Sequence, residues 1–312
     1  MELGNLVCLL SPPEYGEEVI KNHPGSISII GYEQYSLIKH YGNIERVKLY
    51  DKNAQYGSND VLLIMMCLPG VKDHILGKFT RVIYFFDDMD EEKSRRREYK
   101  ENFSKVNIFV SPRREIAEAF NATGIKNSYY IPWSMMPLQI KIVKTDKPSV
   151  FIDMDERSFT AASIERGYNL AQILLAMDIN VYVFEKFRDV CPQHMRDFVN
   201  FISPMPRKEF LIFLSGMWFY ASGIRGSYEY SVMESALLGC GLISIENSVI
   251  HEHLGRSCCL FYNEQETFQK LLVQAIESFE PQQIIADAEK LYPRGAAALL
   301  KEIVLKNFGL DV

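Results

Sequence analysis

The sequence predicts an α/β protein of two doubly wound domains, each with a parallel sheet. Short apolar runs alternate with longer helical stretches, which is typical of parallel strands joined by crossover helices. The chain has 312 residues, too many for one ordinary core and enough for two domains. The alternation stops at Met135–Pro148, where two prolines and an alternating KIVKTDK tract indicate an interdomain connection. We therefore place the two domains at residues 1–140 and 141–312.

The N-terminal domain is predicted to hold a series of short strands. Turn-forming sequences, such as Ser11-Pro12-Pro13 and Pro69-Gly70, follow two of the apolar runs. The charged stretch Met89–Phe103 indicates a solvated helix with internal ion pairs, and a grip on an anionic acceptor is the alternative. The predicted strands are Asn5–Leu10, Ser26–Ile30, Arg46–Leu49, Asp60–Cys67, Arg81–Phe86, Val106–Val110 and Asn127–Ile131.

The C-terminal domain repeats this architecture. Phe210–Ile224 falls short of the about 20 apolar residues that span a bilayer, so it indicates a buried helix running into a strand. Glu264–Lys306 is predicted to be mostly helical, with breaks at Pro281 and Pro293. One alternative is that the last helix packs back on the N-terminal domain. The predicted strands are Ser149–Met154, Asn180–Phe184, Val199–Ser203, Trp218–Ala221, Gly241–Ile245 and a short strand opening at Leu260.

Composition and motifs exclude several classes of function. The net charge is −6 without a basic block, so nucleic-acid binding through a cationic surface is not expected. Six cysteines without metal-ligand spacing, and no secretory leader, predict reduced thiols in a cytoplasmic protein. Ile250–Leu254 (IHEHL) lacks the histidine spacing of zinc proteases, so no metal is predicted. No P-loop or GxGxxG motif occurs, so neither ATP hydrolysis nor a dinucleotide cofactor is predicted.

Polar residues crowd the start of a small-residue helix in the C-terminal domain. The helical segment VMESALLG directly follows a stretch that contains four polar residues, Ser227, Tyr228, Glu229 and Ser231. Ser227 is a plausible N-cap, and free backbone N–H groups at a helix start favour an anion. Glu234 lies on the first turns, where a carboxylate suits two hydrogen bonds to vicinal sugar hydroxyls. The alternative is an acid that only offsets the helix dipole.

Further charged residues lie near predicted strand ends. Arg157 follows the strand SVFIDM and Arg166 lies near a helix start, so either could reach a diphosphate, or both are surface charges. In the N-terminal domain Asp87 and Asp88 follow a buried strand, a position that faces the site in a doubly wound sheet. A carboxylate there would orient or deprotonate an acceptor hydroxyl, and a turn-forming pair is the alternative.

An ordered series of segments resembles the GT-B glycosyltransferases, especially their group-1 (family 4-like) set. The series covers most of the chain and comprises VNIFVSPRREIAEAFNATGIKNSYYIPWSM, FIDMDER, IERG, NVYVFEK, VNFISPMPRKEFLIFLSG, FYASGIRGSYEYS, VMESALLGCGLISI and IHEHL. The resemblance implies two Rossmann-like domains facing across a cleft, acceptor on the N-terminal side and nucleotide sugar on the C-terminal side. By the resemblance Glu234 binds the ribose of the donor, and the Ser227–Ser231 loop covers the diphosphate and sugar. Arg157 and Arg166 neutralise the phosphates.

The chain departs from the family pattern at four places. IERG carries arginine where the family has lysine, and the N-terminal loop lacks the usual glycine pair. The first glutamate of the family's pair would fall at Gly226, so either Glu229 takes that role after a shortened loop or the sugar contact is lost. The usual acceptor-side histidine is replaced by Asp87 or Asp88.

The implied function is transfer of a sugar from a nucleotide-diphosphate sugar to an acceptor hydroxyl, metal-independent and with retained configuration, in polysaccharide or glycoconjugate synthesis. The implied acceptor is a glycan, a lipid-linked glycan or another hydroxyl compound. Peripheral contact with a membrane is an alternative that the sequence does not decide. The alternatives are a sugar-nucleotide epimerase of the same build and an inactive or regulatory nucleotide-sugar-binding protein.

Overall fold

The chain divides into two compact units. Unit 1 comprises Met1–Met136 together with Tyr292–Val312, and unit 2 comprises Pro137–Leu291. The computed structural model describes residues 2–10, 26–41, 44–65, 71–85, 104–112, 114–122, 127–131, 135, 138–154, 161–222, 230–244, 259–261, 265–291 and 296–312.

The described residues form fourteen strands and nine α-helices. The strands are β1 Glu2–Leu3, β2 Leu6–Leu9, β3 Val47–Leu49, β4 Val61–Ile64, β5 Arg81–Phe85, β6 Ile108–Ser111, β7 Ser128–Tyr130, β8 Ser149–Asp153, β9 Asn180–Phe184, β10 Val199–Ile202, β11 Phe219–Ser222, β12 Gly241–Ser244, β13 Cys259–Phe261 and β14 Leu310–Asp311. The α-helices are α1 Ser26–Tyr41, α2 Asp73–Leu76, α3 Arg114–Ala122, α4 Ala161–Ala176, α5 Arg207–Gly216, α6 Tyr230–Leu237, α7 Gln265–Glu277, α8 Pro281–Leu291 and α9 Ala296–Phe308. Short 3₁₀ helices occupy Glu185–Val190 and Gln193–Met195.

Unit 1 is built on a parallel sheet with the strand order β3-β2-β4-β5-β6-β7. The central strands β2 and β4 are apolar along their whole length (LVCL and VLLI), and all their residues are buried. Continuous apolar runs of this kind are expected where helices cover both faces of a parallel sheet. Phe109 of β6 and Phe120 of α3 stack with their ring centroids 5.2 Å apart, which fixes α3 on the sheet.

The C-terminal segment of the chain belongs to unit 1. β14 pairs in parallel with β1, Glu2 opposite Leu310. On α9, the Asn307 side-chain oxygen accepts hydrogen bonds from Asn127 Nδ2 at 2.9 Å and from the Tyr129 hydroxyl at 3.1 Å. Unit 2 is therefore an insertion between two parts of unit 1.

Unit 2 is built on a second parallel sheet, with the strand order β10-β9-β8-β11-β12-β13. The first strand of the unit, β8, lies in the middle, and the chain adds strands first on one side of it and then on the other. This is the strand order of a dinucleotide-binding doubly wound fold. The order reverses between β8 and β11, where Tyr220 lies opposite Phe151 and Ser222 opposite Asp153.

The two faces of this sheet have different packing. Val150 and Ile152 face one way, into a buried apolar cluster that includes Leu174 of α4 and Phe268 of α7. Phe151 faces the other way and packs edge-on against three aromatic rings, with centroids 5.0 to 5.8 Å apart. These rings belong to Phe184, Phe210 and Phe213, the last two on α5. Alternate residues of β8 thus anchor helices on opposite faces, as the two-residue period of a strand requires.

The predicted fold class, α/β with two parallel sheets flanked by helices, is confirmed. The predicted strand at Ser26–Ile30 is wrong, because these residues form the first turns of α1. Three β-branched isoleucines in SISII favour a strand locally, but the segment continues into a helix that buries Gln34, Tyr35, Leu37 and Ile38. This spacing has the helical period, so tertiary packing overrides the local preference.

Two further predictions concern residues outside the described ranges: the charged helix at Met89–Phe103 and the histidine-containing segment at Ile250–Leu254. Among the described helices, none is both long and apolar enough to cross a membrane.

Candidate functional site

The candidate site lies at the carboxyl edge of the unit 2 sheet, where the strand order reverses. Three neighbouring strands, β8, β11 and β12, end there in the polar residues Asp153, Ser222 and Ser244. Strand pairing places Ser222 opposite both Asp153 and Ser244, so the three residues form one row. Ligands of open α/β sheets bind at this edge and at this reversal point. Ser222 and Ser244 are buried and Asp153 is half-buried, so the row lies just beneath the surface.

A hydrogen-bonded chain connects this row to α6. The hydroxyl of Tyr220, a residue of β11 that is fully buried, donates to Asp153 Oδ2 at 2.6 Å. The same hydroxyl lies 2.8 Å from the Ser231 hydroxyl, in the first turn of α6. Tyr220 therefore ties the end of β8 to the beginning of α6.

A buried ion pair fixes the next turn of α6. Glu234 accepts hydrogen bonds on Oε1 from Arg207 Nε at 3.0 Å and from Arg207 Nη2. The Glu234 side chain is 6% exposed and that of Arg207 32% exposed. Arg207 is the first residue of α5 and directly follows Pro206. A buried carboxylate requires compensating partners, and the Arg207 guanidinium is one that favours its ionised form.

A lysine in the connection preceding β8 holds the other ends of these two helices. Lys144 Nζ donates to the carbonyl oxygens of Met217 at 2.5 Å and Leu238 at 2.9 Å, which directly follow α5 and α6. It also contacts the Cys240 sulfur at 3.5 Å. A cation at helix carboxyl ends is favourable. Burial nevertheless lowers the pKa of Lys144, and burial raises that of the Cys240 thiol.

A further candidate group, Arg166, belongs to the helix that follows β8 and covers the opposite face of the sheet. It lies on α4, and its Nε is buried without a hydrogen-bond partner among the described residues. The adjacent Gly167 lets α4 pack against Met154, the residue after β8, because a Cβ at position 167 would lie 2.8 Å from Met154 Cε. An unsatisfied buried N–H calls for an explanation, and an anionic ligand would supply its partner.

Together these groups suit a ligand that is anionic at one end and carries hydroxyls at the other. The first amides of α6 and the Arg166 guanidinium favour an anion. The Glu234 carboxylate favours hydroxyl donors. Within the described ranges, no three His, Cys, Asp or Glu side chains are close enough to hold a metal ion.

The predicted site residues divide into two groups. The structure brings Ser231 and Glu234 together on α6, while Arg166 lies on α4, which covers the other face of the sheet. The rest lie outside the described residues, and they are Asp87, Asp88, Arg157, Ser227, Tyr228 and Glu229. The roles assigned to all of them remain predictions.

Sequence reasoning missed Asp153, Arg207 and Tyr220. Asp153 carried a signal, because it is the one charged residue in the apolar run SVFIDM and it stands at the end of the strand. Arg207 and Tyr220 carried no comparable signal, because their partners are 27, 11 and 67 positions away in the chain.

Comparisons with known proteins place the chain by its fold. No protein-family model matches it, and no curated sequence does. Among solved structures, it is similar to the pneumococcal O-GlcNAc transferase GtfA in complex with UDP and GlcNAc, with a TM-score of 0.58 and 10% identity over 80% of this chain and 57% of that one. It is also similar to Staphylococcus aureus TarM, with a TM-score of 0.59 and 10% identity over 80% of this chain and 56% of that one.

A third similar structure is a putative UDP-N-acetylglucosamine 2-epimerase from Listeria monocytogenes. Its TM-score is 0.54 at 11% identity, covering 100% of this chain and 98% of that one. The chain thus spans little over half the length of the two glycosyltransferases and nearly the whole length of the epimerase. These likenesses confirm the predicted GT-B fold, and at this identity they establish the fold alone.

Proposed function

We propose that the chain is a glycosyltransferase that moves a sugar from a nucleotide-diphosphate sugar to an acceptor hydroxyl. The observation that carries the proposal is the buried, Arg207-paired carboxylate of Glu234 on the helix that starts at the reversal point of the unit 2 sheet. Support also comes from the fold, because the similar structures include a transferase with bound UDP and GlcNAc. UDP is therefore the first donor nucleotide to test.

The donor side of the reaction is assigned to unit 2. Glu234 binds the ribose hydroxyls, and the amides at the start of α6 bind the diphosphate. Arg166 offers its unpartnered Nε to the phosphates, and Arg157 is assigned the same role. Ser227, Tyr228 and Ser231 complete the cover over the donor.

The diphosphate is the leaving group of this reaction, and it gains negative charge as the glycosidic bond breaks. Fixed N–H donors and guanidinium groups stabilise that charge in the transition state. Such stabilisation requires no metal ion, so we propose metal-independent transfer. Retention of the anomeric configuration is part of the proposal and is supported by the group-1 resemblance alone.

The acceptor side is assigned to unit 1. Asp87 or Asp88 orients the acceptor hydroxyl and takes up its proton, and Glu229 of unit 2 contacts the transferred sugar. The proposed acceptor is a glycan, a lipid-linked glycan or another hydroxyl compound. The proposed setting is cytoplasmic, with peripheral membrane contact if the acceptor is lipid-linked.

Calorimetric titration with UDP, GDP and their sugars tests the donor site. Glu234→Gln keeps the shape of the side chain but replaces one acceptor oxygen with a donor, so nucleotide affinity is expected to fall at least about tenfold. Glu209→Gln is the matched control, because Glu209 is an exposed acid in the first turn of the neighbouring helix α5. Unchanged affinity in Glu234→Gln would refute the donor-site assignment.

A sugar-nucleotide epimerase is the second candidate, favoured by the match over the full length of the Listeria protein. The two activities differ in their requirement for an acceptor. A transferase releases nucleoside diphosphate only when an acceptor is present, whereas an epimerase converts the sugar nucleotide to its epimer without one. Proton NMR of the sugar nucleotide, with and without acceptor glycans, distinguishes them. A protein that binds the nucleotide and gives neither product is the third case, a binding protein that kept the fold.

A further inference from the structure

We propose that Tyr220 is a positioning residue of this site, whose hydroxyl joins Asp153 to Ser231 and holds the first turn of α6 against the end of β8. The inference rests on the proposed function, because the amides of that turn are the groups assigned to the donor diphosphate.

The location of the Tyr220 hydroxyl is fixed by packing. Tyr220 pairs with Phe151 in the strand register, yet its hydroxyl reaches Asp153, two residues further toward the carboxyl edge. The ring therefore extends along the sheet toward the site. It is fully buried, and it lies beside the Phe151 ring with centroids 6.0 Å apart. A ring enclosed in this way can present its hydroxyl only at that point.

The direction of the hydrogen bonds follows from the number of protons available. An ionised carboxylate only accepts, and a phenol has one proton, so Tyr220 donates to Asp153 and must accept from Ser231. The distances agree with this polarity. The bond of 2.6 Å to Asp153 falls in the range of an O–H donor to a charged acceptor, and the 2.8 Å to Ser231 is usual for neutral hydroxyls.

This polarity changes the role of Ser231. Its single hydroxyl proton is used in the bond to Tyr220, so Ser231 has none left to donate to a phosphate oxygen. The hydroxyl therefore contributes to diphosphate binding through the orientation of its own turn. The diphosphate is held by backbone amides, which Tyr220 and Ser231 keep in place.

Three variants test the proposal: Tyr220→Phe, Ser231→Ala and the double variant. Tyr182→Phe is the matched control, because Tyr182 lies on β9 of the same sheet and its ring packs edge-on against Phe213. The first readout is hydrogen–deuterium exchange of the ligand-free full chain. Tyr220→Phe is expected to speed amide exchange at residues 231–235 about tenfold, and Tyr182→Phe is expected to leave that peptide unchanged.

The second readout is the affinity for UDP compared with that for uridine. Tyr220→Phe should raise the Kd for UDP about tenfold, because the turn that carries the diphosphate amides must then be ordered on binding, and should leave the Kd for uridine within about twofold. Ser231→Ala should raise the Kd for UDP similarly, but it should have no further effect in the Tyr220→Phe background. If Tyr220 only supported the fold, Tyr220→Phe would lower the affinity for UDP and for uridine equally.

The outcomes separate this proposal from the function on which it rests. If the wild-type chain binds no nucleotide, the proposed function fails, and the exchange experiment still decides whether Tyr220 fixes the turn. If UDP binds and the effects of Tyr220→Phe and Ser231→Ala on its Kd multiply, Ser231 contacts the phosphate directly and the proposal is overturned. Unchanged exchange at residues 231–235 in Tyr220→Phe also overturns it.

Discussion

Replacing Arg207 with methionine should destabilise unit 2 more than replacing Glu234 with glutamine. The reason is the unequal exposure of the two partners, 32% for the Arg207 side chain and 6% for that of Glu234. Without Arg207, the Glu234 carboxylate stays buried and loses the cation beside it. Without the charge on Glu234, the charge that remains is the Arg207 guanidinium, which water already reaches.

The magnitudes follow from this difference. Breaking a fully buried pair costs about 3–5 kcal/mol, and partial access of water to Arg207 reduces this to about 2–3 kcal/mol for Arg207→Met. Glu234→Gln should cost about 1 kcal/mol, close to one ordinary hydrogen bond. For a domain of about 150 residues, these values correspond to melting temperatures lowered by about 5–10 °C and about 2–4 °C.

Tryptophan fluorescence measures the effect in unit 2 specifically. The chain has two tryptophans, so a Trp133→Phe background leaves Trp218 as the sole reporter. Trp218 stacks on Phe279 with ring centroids 4.4 Å apart, and its Nε1 donates to the Thr145 carbonyl at 2.7 Å, so unfolding of unit 2 will change its emission.

A double variant, Arg207→Met with Glu234→Met, provides the control. It should recover most of the lost stability, because both charges of the buried pair are then removed together. It should still bind nucleotide poorly, because the ribose acceptor is gone. Equal losses in the two single variants, or a larger loss in Glu234→Gln, would refute the reasoning from exposure.

Three further outcomes are expected. Gly241→Ala should lower stability by about 1–3 kcal/mol, because the added Cβ would lie 2.7 Å from the Phe219 ring; calorimetry checks this, and an unchanged melting temperature would contradict it. Burial lowers the pKa of Lys144 in the folded chain. Between that lowered pKa and the unfolded value of about 10.5, Lys144 holds more protons in the unfolded chain than in the folded one. The stability of the wild type relative to Lys144→Met should therefore rise with pH in this window. Urea titrations across that window test the sign, and a fall would show it to be wrong. Burial raises the pKa of the Cys8 and Cys240 thiols, so both should resist iodoacetamide in the native chain and react in urea, as peptide mass spectrometry would show.

Most of the sheet framework was predictable because buried parallel strands leave a strong local signal. Runs such as VLLI in β4 and VYVF in β9 are short and apolar, and a polar residue directly precedes each of them. Ser26–Ile30 failed because its local preference and its tertiary context conflict. SISII resembles a strand, and only the spacing of buried residues further along α1 shows the helix.

The site was predictable only where its residues are close in sequence. Ser231 and Glu234 were identified because both lie at the start of one small-residue helix. Their structural partners come from elsewhere in the chain: Tyr220 from a neighbouring strand, Asp153 from β8 and Arg207 from α5. Such pairings depend on strand order and helix placement, which a local pattern does not contain.

The return of the chain to unit 1 at Tyr292 has a practical consequence for truncated forms of the protein. Cutting after Leu291 would remove α9 and β14 and expose the surface of β7 where Asn307 binds. The damage would therefore appear in the half of the molecule that is translated first, while the half just upstream of the cut keeps all of its own strands.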